Sequence, residues 1–196
     1  MKFQIKHTQR FPVRLSFPQI WRAVKIRNKD GSEGDGKPSY AANVLIMPED
    51  PQVAALNDLI DKIALEEWGE KRAKTVLAEL RGKDKLFLHN GDFKSDYDGY
   101  AGMFYVTARS PTAPLIIGRN KEELREAGGR PYGGCYVNFS IDAYAQGDKS
   151  QWGRRINATL RGIQFVEDGE AFAGGPPATP EEFDDLDAGV EAQALA

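Results

Sequence analysis

The sequence predicts a mainly β, α+β fold: a small closed barrel with an inserted helix and a disordered acidic C-terminal tail. Three observations support this prediction. Several segments alternate apolar and polar residues with the period of two that is typical of β-strands. One long stretch repeats apolar residues at helical spacing. The C-terminal end is rich in Gly, Pro and acidic residues and holds few that could join a core.

The N-terminal part of the chain has the pattern of strands. FPVRLSF (11–17) and QIWRAVKIR (19–27) alternate large apolar with polar residues, and their prolines lie at the edges. A turn-rich loop, DGSEGDGKPS (30–39), follows. YAANVLIM (40–47) is then a further strand, which Pro48 closes.

A helix is predicted next. Asp50 is a suitable N-cap, and Pro51 fits the first helical position because its missing N–H would have no partner there. Apolar residues at helical spacing predict a helix over 51–68 and a second helical piece over 69–80. We expect Gly82 to supply a left-handed cap at the end.

Strands dominate again in the second half. YAGMFYVTAR (100–109), CYVNFSIDAY (135–144) and RINATLRGIQFV (155–166) alternate, and an insertion with one short helical patch (110–134) separates the first two. About six strands with one helix among them favour a Greek-key β-barrel of the OB type, a five-stranded fold that binds oligonucleotides on one face. Periodicity alone does not separate this from another α+β barrel.

Charge divides the chain into two parts. Residues 167–196 hold nine acidic residues and no Lys or Arg, which leaves 26 basic and 20 acidic residues in 1–166, a body near +6. We therefore expect a folded domain over 1–175 and a disordered acidic tail over 176–196. A basic body with an acidic arm indicates a polyanionic partner, although an ordinary solvated surface would explain the charges equally well.

Several classes of protein are excluded by composition. The one cysteine, Cys135, cannot form an intrachain disulfide and suits a reducing compartment. No apolar stretch approaches the roughly 18 residues of a membrane span, and the basic N-terminus lacks the apolar run of a secretory signal. We expect a cytosolic protein with no membrane partner.

Catalytic candidates are few. His7 and His89 are far apart in the sequence and lack further ligands at zinc spacing. Asp92, Asp96 and Asp98 could hold Mg²⁺ for phosphodiester cleavage, but Asp in a Gly-bearing loop is also ordinary turn chemistry. We favour the turn, and expect neither catalysis nor a metal or cofactor.

Binding of a single strand needs a cationic groove for the backbone and aromatic side chains for the bases. Four strands carry aromatic, basic or small polar residues on the face opposite the predicted core. In 135–144, for example, Cys135, Val137, Phe139 and Ile141 form the predicted core face. The candidate binding residues are Trp21, Lys25, Arg27, Tyr105, Arg109, Tyr136, Tyr144, Trp152, Arg154 and Arg155.

Four segments carry a resemblance to a known family. They are GKPSYAANVLIMPED, DYDGYAGMFYVTARS, RPYGGCYVNFSIDAYAQ and LRGIQFVEDGEAFAGG. In this order and spacing they resemble the phage and prophage single-stranded-DNA-binding family (the DUF2815 group), over about Phe11 to Gly175. The resemblance implies an OB-fold that coats single-stranded DNA during phage replication or recombination, in the cytoplasm of the bacterial host and without catalysis.

The tail also resembles the acidic C-terminal arms of other single-strand-binding proteins. That resemblance implies replication or recombination proteins as partners, although the chain ends on AQALA rather than on an acidic-aromatic tip. The expected docking residues are Glu181, Glu182, Phe183, Asp184, Asp185, Leu186 and Asp187.

Two other functions stay open at this point. One is a metal-dependent nuclease that uses Asp92, Asp96 and Asp98. The other is a virion or assembly protein whose barrel makes only protein contacts. The sequence does not fix the oligomeric state or the choice between DNA and RNA.

Overall fold

The order of strands and helices follows the alternating patterns of the sequence. The computed structural model describes residues 1–25, 32–34, 36–150 and 153–172. Short 3-10 turns lie at Gly91–Lys94 and Glu126–Gly128. The elements of the described residues are β1 (Lys2–Ile5), β2 (Arg14–Val24), β3 (Ser39–Ile46), α1 (Pro51–Gly82), β4 (Leu88–Asn90), β5 (Phe104–Ser110), β6 (Leu115–Ile117), β7 (Tyr136–Gln146) and β8 (Arg155–Glu167).

Five of these strands close into a barrel. The hydrogen-bonded order is β2, β3, β5, β8 and β7, and β7 pairs again with β2. The closing pair joins Arg14 to Tyr136. Neighbours are antiparallel except β5 and β8, which run parallel. The predicted fold class, a mainly β barrel of OB type with an inserted helix, is confirmed.

The long helix begins and bends where the sequence predicts. The Asp50 carboxylate accepts a hydrogen bond from the Gln52 N–H at 2.8 Å, and Pro51 occupies the first turn. Gly69 has φ +68° and breaks the helical path, so the predicted pieces 51–68 and 69–80 meet at this kink.

The end of the helix differs from the prediction. The helix runs to Gly82, but the left-handed residue is Asp84, with φ +51°. Asp is one of the few side chains that tolerate this conformation, since it can bond nearby backbone groups. Within the described residues, no helix is both long and apolar enough to cross a membrane.

The barrel interior and the apolar side of α1 form one core. Cys135, Val137, Phe139 and Ile141 are fully buried in it, as predicted for that face of β7. Burial raises the pKa of the Cys135 thiol to about 11, because the thiolate would lose its hydration. This cysteine is therefore a small core residue and not a reactive nucleophile.

A second, smaller cluster lies apart from this core. Leu45, Tyr100 and Tyr105 are buried in it. The Tyr100 hydroxyl accepts a hydrogen bond from the Asn43 amide at 2.9 Å. Tyr100 precedes β5, and Gly102, with φ +71°, interrupts the strand alternation between them, so Tyr100 packs in this cluster and not in the main core.

The N-terminal segments 11–17 and 19–27 contribute to one strand and not two. β2 carries a register shift between Ser16 and Gln19, where it pairs with β3. Phe17 at this bulge has φ +46°, which is rare for a bulky residue. The bulge therefore changes the direction in which the following side chains point.

Candidate functional site

Three adjoining depressions form a groove on the barrel surface. The first, about 530 Å³, lies beside β7 and β8, and the second, about 950 Å³, lies beside the end of β2. The third, about 280 Å³, lies at the loop before β5. Lys94 and Arg109 line the first two, and Phe17 and Tyr97 line the last two. The three are therefore continuous, and we call them the barrel groove.

The groove lies where OB barrels bind oligonucleotides. Such barrels use the face of their second and third strands and the loops after their first and fourth strands. Here the third barrel strand, β5, supplies Tyr105, Thr107 and Arg109 to the lining. Pro38 in the β2–β3 connection and Arg155 at the start of β8 flank them.

The first two depressions are cationic. Each of their two carboxylates already has a partner: Asp84 is 2.6 Å from His89 Nδ1, and Glu33 is 3.2 Å from Lys25 Nζ. The charged residues of the described lining are Lys25, Lys85, Lys94, Arg109 and Arg155 against Asp84 and Glu33. This excess of positive charge suits a polyanion.

Two of these cations are partly desolvated by the groove walls. Burial lowers the pKa of Lys94, and Asp84 partly offsets the effect. Burial also lowers the pKa of Arg109, although its side chain still reaches the surface. An arginine stays charged in any protein environment, so Arg109 presents a cation with incomplete hydration. An anionic ligand would replace the missing hydration.

Tyr105 lies in the groove but is buried. The structure confirms that it faces away from the main core, but it is only 3% exposed, so its prediction as an outward platform is wrong. The His89 ring stacks on it with centroids 4.7 Å apart, and Lys94 Nζ lies 4.7 Å from its centroid. Burial raises its pKa to about 12. Tyr105 therefore supports the groove floor.

Tyr144 presents an accessible aromatic ring. It is 48% exposed on β7 and lines the first depression together with Arg155. Its backbone pairs with Asn157 of β8, and Gln146 pairs with Arg155, so the ring and the guanidinium are held by adjoining strands. The sequence predicted both as binding residues, and the structure brings them together with Arg109.

Two further aromatic residues were missed by the sequence analysis. Phe17 is 49% exposed and Tyr97 is 51% exposed, and their rings meet edge to face with centroids 5.1 Å apart. Strict alternation places Phe17 on the same side as the buried Leu15, and only the Phe17-Pro18 interruption hints at the bulge. Tyr97 lies between Asp96 and Asp98, in a loop whose sequence predicts turn chemistry and no strand alternation.

Other predicted residues do not join the groove. Trp21 is half-buried and packs against the main core. Tyr136 lies near the His7 ring at the opposite end of β7 from Tyr144, about 27 Å away at strand rise. Arg154 forms ion pairs with Glu79 at 2.6 Å and Asp148 at 3.5 Å. The length of β7 thus separates Tyr136 from Tyr144, and the ion pairs of Arg154 occupy its guanidinium outside the groove.

The remaining predictions lie outside the described residues. Arg27, Trp152 and the tail 176–196 fall there, together with all seven expected docking residues of the tail. Lys25 is the last N-terminal candidate that the structure describes, and it lines the second depression.

One of the three loop aspartates takes part in a turn. The Asp92 carboxylate accepts a hydrogen bond from the Gly102 N–H at 2.8 Å, which is the turn chemistry that the sequence favoured. Asp96 and Asp98 line the third depression. In the described ranges, no three His, Cys, Asp or Glu side chains are grouped to hold a metal ion.

Comparison with known proteins gives consistent matches. The model of the family described as "Enterobacter phage Enc34, ssDNA-binding protein" matches residues 4–194. Protein p50 of Acyrthosiphon pisum secondary endosymbiont phage 1 is 38% identical over 192 residues, which cover 94% of this chain and 96% of p50.

Solved structures give the same result. The single-stranded DNA-binding protein of bacteriophage Enc34, in complex with ssDNA, matches with a TM-score of 0.67 and 25% identity, over 88% of this chain and 89% of that one. The single-stranded DNA-binding protein gp2.5 of bacteriophage T7 shares the fold, with a TM-score of 0.55 and 14% identity, over 95% and 96% of the two chains.

Proposed function

This chain belongs to the Enterobacter phage Enc34 ssDNA-binding family, and we propose that it binds single-stranded DNA along the barrel groove without sequence preference. One observation carries the proposal. The exposed ring of Tyr144, the guanidinium groups of Arg109 and Arg155 and the ammonium group of Lys94 line one depression on the barrel. A flat ring among cations is what an unpaired nucleotide needs.

The chemistry of the side chains indicates which of them contact phosphates and which contact bases. Lys25, Lys94, Arg109 and Arg155 neutralise phosphates, and a base stacks on Tyr144. Phosphate contacts carry no sequence information, and every base has a π-face, so binding tolerates any sequence. A duplex hides its base faces inside the helix and cannot use the ring. Single strands are therefore preferred.

The salt dependence of binding tests this function. Each neutralised phosphate contributes about −0.7 to the slope of log affinity against log salt for a single strand. With about four to six such contacts, we expect a slope of about −3 to −4, measured by fluorescence anisotropy of a labelled mixed-sequence oligonucleotide. The same titration with a duplex is the control. Equal or tighter duplex binding contradicts the proposal, and Mg²⁺-dependent cleavage of the oligonucleotide would favour the nuclease.

The acidic segment has a separate proposed role. Residues 176–196 hold six acidic residues and no Lys or Arg, with Phe183 and Leu186 among the acids. We propose that this segment recruits proteins of phage DNA replication or recombination. A chain that lacks 176–196 should still bind single strands but no longer retain such a partner in a pull-down.

A further inference from the structure

We propose that the groove has two separate stacking positions, Tyr144 at one end and Phe17 with Tyr97 at the other, joined by the cations Lys94 and Arg109. The proposal rests on the proposed function and extends it. If the groove has two stacking positions, affinity should rise steeply at a threshold oligonucleotide length. A short oligonucleotide reaches only one position, and a longer one reaches both.

Strand register places the two positions at opposite ends of one row. Tyr144 of β7 pairs with Asn157 of β8. Arg109 pairs with Thr159 in the parallel ladder, so Thr107, two residues earlier, lies beside Asn157.

The row continues through the other half of the barrel. Thr107 of β5 pairs with Asn43 of β3, and Asn43 pairs with Ser16 of β2, the residue before Phe17. From β7 to β2 along this path there are four strand spacings, about 19 Å at roughly 4.8 Å each. The groove therefore crosses the strands, with an aromatic position near each end.

The bulge in β2 gives Phe17 its exposure. Phe17 has φ +46°, a strained conformation for this residue type, and its ring is half exposed. Such strain persists where the surrounding structure maintains it, and it is common at binding sites. Tyr97 holds the ring edge to face at 5.1 Å and is itself exposed. The outward ring is thus pre-positioned before any ligand arrives.

The middle of the path is cationic, not aromatic. Lys94 and Arg109 both line the first and second depressions, so they lie between the two positions. The one aromatic ring of β5 that lines this part of the groove, Tyr105, is already covered by His89 and Lys94. A strand would therefore stack at both ends and be held by its phosphates in between.

Two linked contacts bind more tightly than either alone once the ligand spans both. The second contact then forms at a high effective concentration. At the roughly 3.4 Å spacing of nucleotides in a stacked strand, 19 Å corresponds to about six nucleotides, and fewer if the strand is extended. This is within the about 4–16 nucleotides that one OB-fold covers.

A length series tests the proposal. Anisotropy competition with oligothymidylates of two to twelve nucleotides should show a steep rise in affinity by about six nucleotides, then a shallow one. Phe17→Ala and Tyr144→Ala should each remove the steep rise and weaken binding of the longer oligonucleotides by about 5–150-fold. Tyr144→Phe keeps the ring and should retain the rise.

Phe93→Ala is the matched control. Phe93 is 82% exposed in the same loop as Tyr97, but it does not line any of the three depressions of the groove. The Phe93→Ala variant should bind oligonucleotides with the same affinity as the unaltered protein. The melting temperature of each variant shows whether a loss of binding comes from a loss of folding. If Phe17→Ala alters the fold, Tyr97→Ala takes its place.

Two results overturn the proposal while leaving the function intact. One is a smooth length dependence in the unaltered protein. The other is that Phe93→Ala removes the steep rise of affinity with oligonucleotide length to the same extent as Phe17→Ala does. Failure of the unaltered protein to bind any single strand would instead contradict the proposed function itself.

Discussion

The imidazole of His89 lies nearly flat on the phenol ring of Tyr105, with planes 17° apart and centroids separated by 4.7 Å. The two residues pair across β4 and β5, and Asp84 holds His89 Nδ1 at 2.6 Å. The short strand β4 thus covers a ring that would otherwise face the groove. The groove has a packed floor at this point, and in the proposed binding mode the bases stack on the exposed rings instead.

Replacing Tyr105 by Ala should cost stability before it costs binding. The ring is buried against Tyr100 and His89, so Tyr105→Ala should lower the free energy of unfolding by about 3 kcal/mol. Tyr105→Phe keeps the ring and should stay within about 1 kcal/mol. Urea denaturation measures both. An Ala variant as stable as the unaltered protein, with weakened DNA binding, would make Tyr105 a stacking platform after all.

Removal of a groove cation should make the slope of log affinity against log salt less negative by a fixed amount. Arg109→Ala and Arg155→Ala should each reduce its magnitude by about 0.7 and weaken binding equally across oligonucleotide sequences. Lys62→Ala is the control, because Lys62 is exposed on α1 and does not line the groove. An unchanged slope in both Arg variants would place the phosphates on another surface.

The Arg130–Asp168 pair predicts a pH-dependent contribution to stability. Hydrogen bonds from Arg130, with one at 2.8 Å from its Nε, hold the pKa of Asp168 below its ordinary value. A carboxyl group whose pKa is lowered by folding stabilises the fold at pH values above its unfolded-state pKa, about 3.9. This stabilisation is lost as the pH falls through the folded-state pKa. Asp168→Asn should therefore melt earlier than the unaltered protein at neutral pH.

The difference between the two proteins should then shrink in acid. Melting curves at about pH 7 and about pH 2.5 give the comparison, since only the unaltered protein has a carboxylate at position 168 that acid can protonate. A constant difference at both pH values would show that the carboxylate charge does not stabilise this pair.

Deletion of 176–196 should tighten single-strand binding. The segment is a tethered polyanion, so it competes with DNA for the cationic groove at a high effective concentration. The gain should be larger at low salt, because each competing contact is screened over about 8–10 Å at physiological salt. The melting temperature should not fall. Unchanged affinity at low salt would mean that the segment does not reach the groove.

Local sequence signals predicted most of the fold. Asp50-Pro51 marked the start of α1, and the alternation of 135–144 identified the buried face of β7. These features depend on neighbouring residues alone, so the sequence contains them. The strand order that closes the barrel depends on long-range pairing, which local alternation does not contain.

The candidate site was predicted only in part. Arg109, Tyr144 and Arg155 do meet in the groove, because period-two alternation holds along β5, β7 and β8. It fails at Phe17, where a bulge turns the side chain outward. It also says nothing about how far apart two outward residues of one long strand lie, which is why Tyr136 was grouped with Tyr144.

Photocrosslinking tests the central claim most directly. An oligonucleotide that carries 5-iodouracil at every thymine position is irradiated with the full chain, and mass spectrometry locates the adducts. The account predicts adducts at Tyr144 and at Phe17 or Tyr97, suppressed by unlabelled single strands and less so by duplex. Adducts confined to Tyr136 or Phe93, with none along the barrel groove, would contradict it.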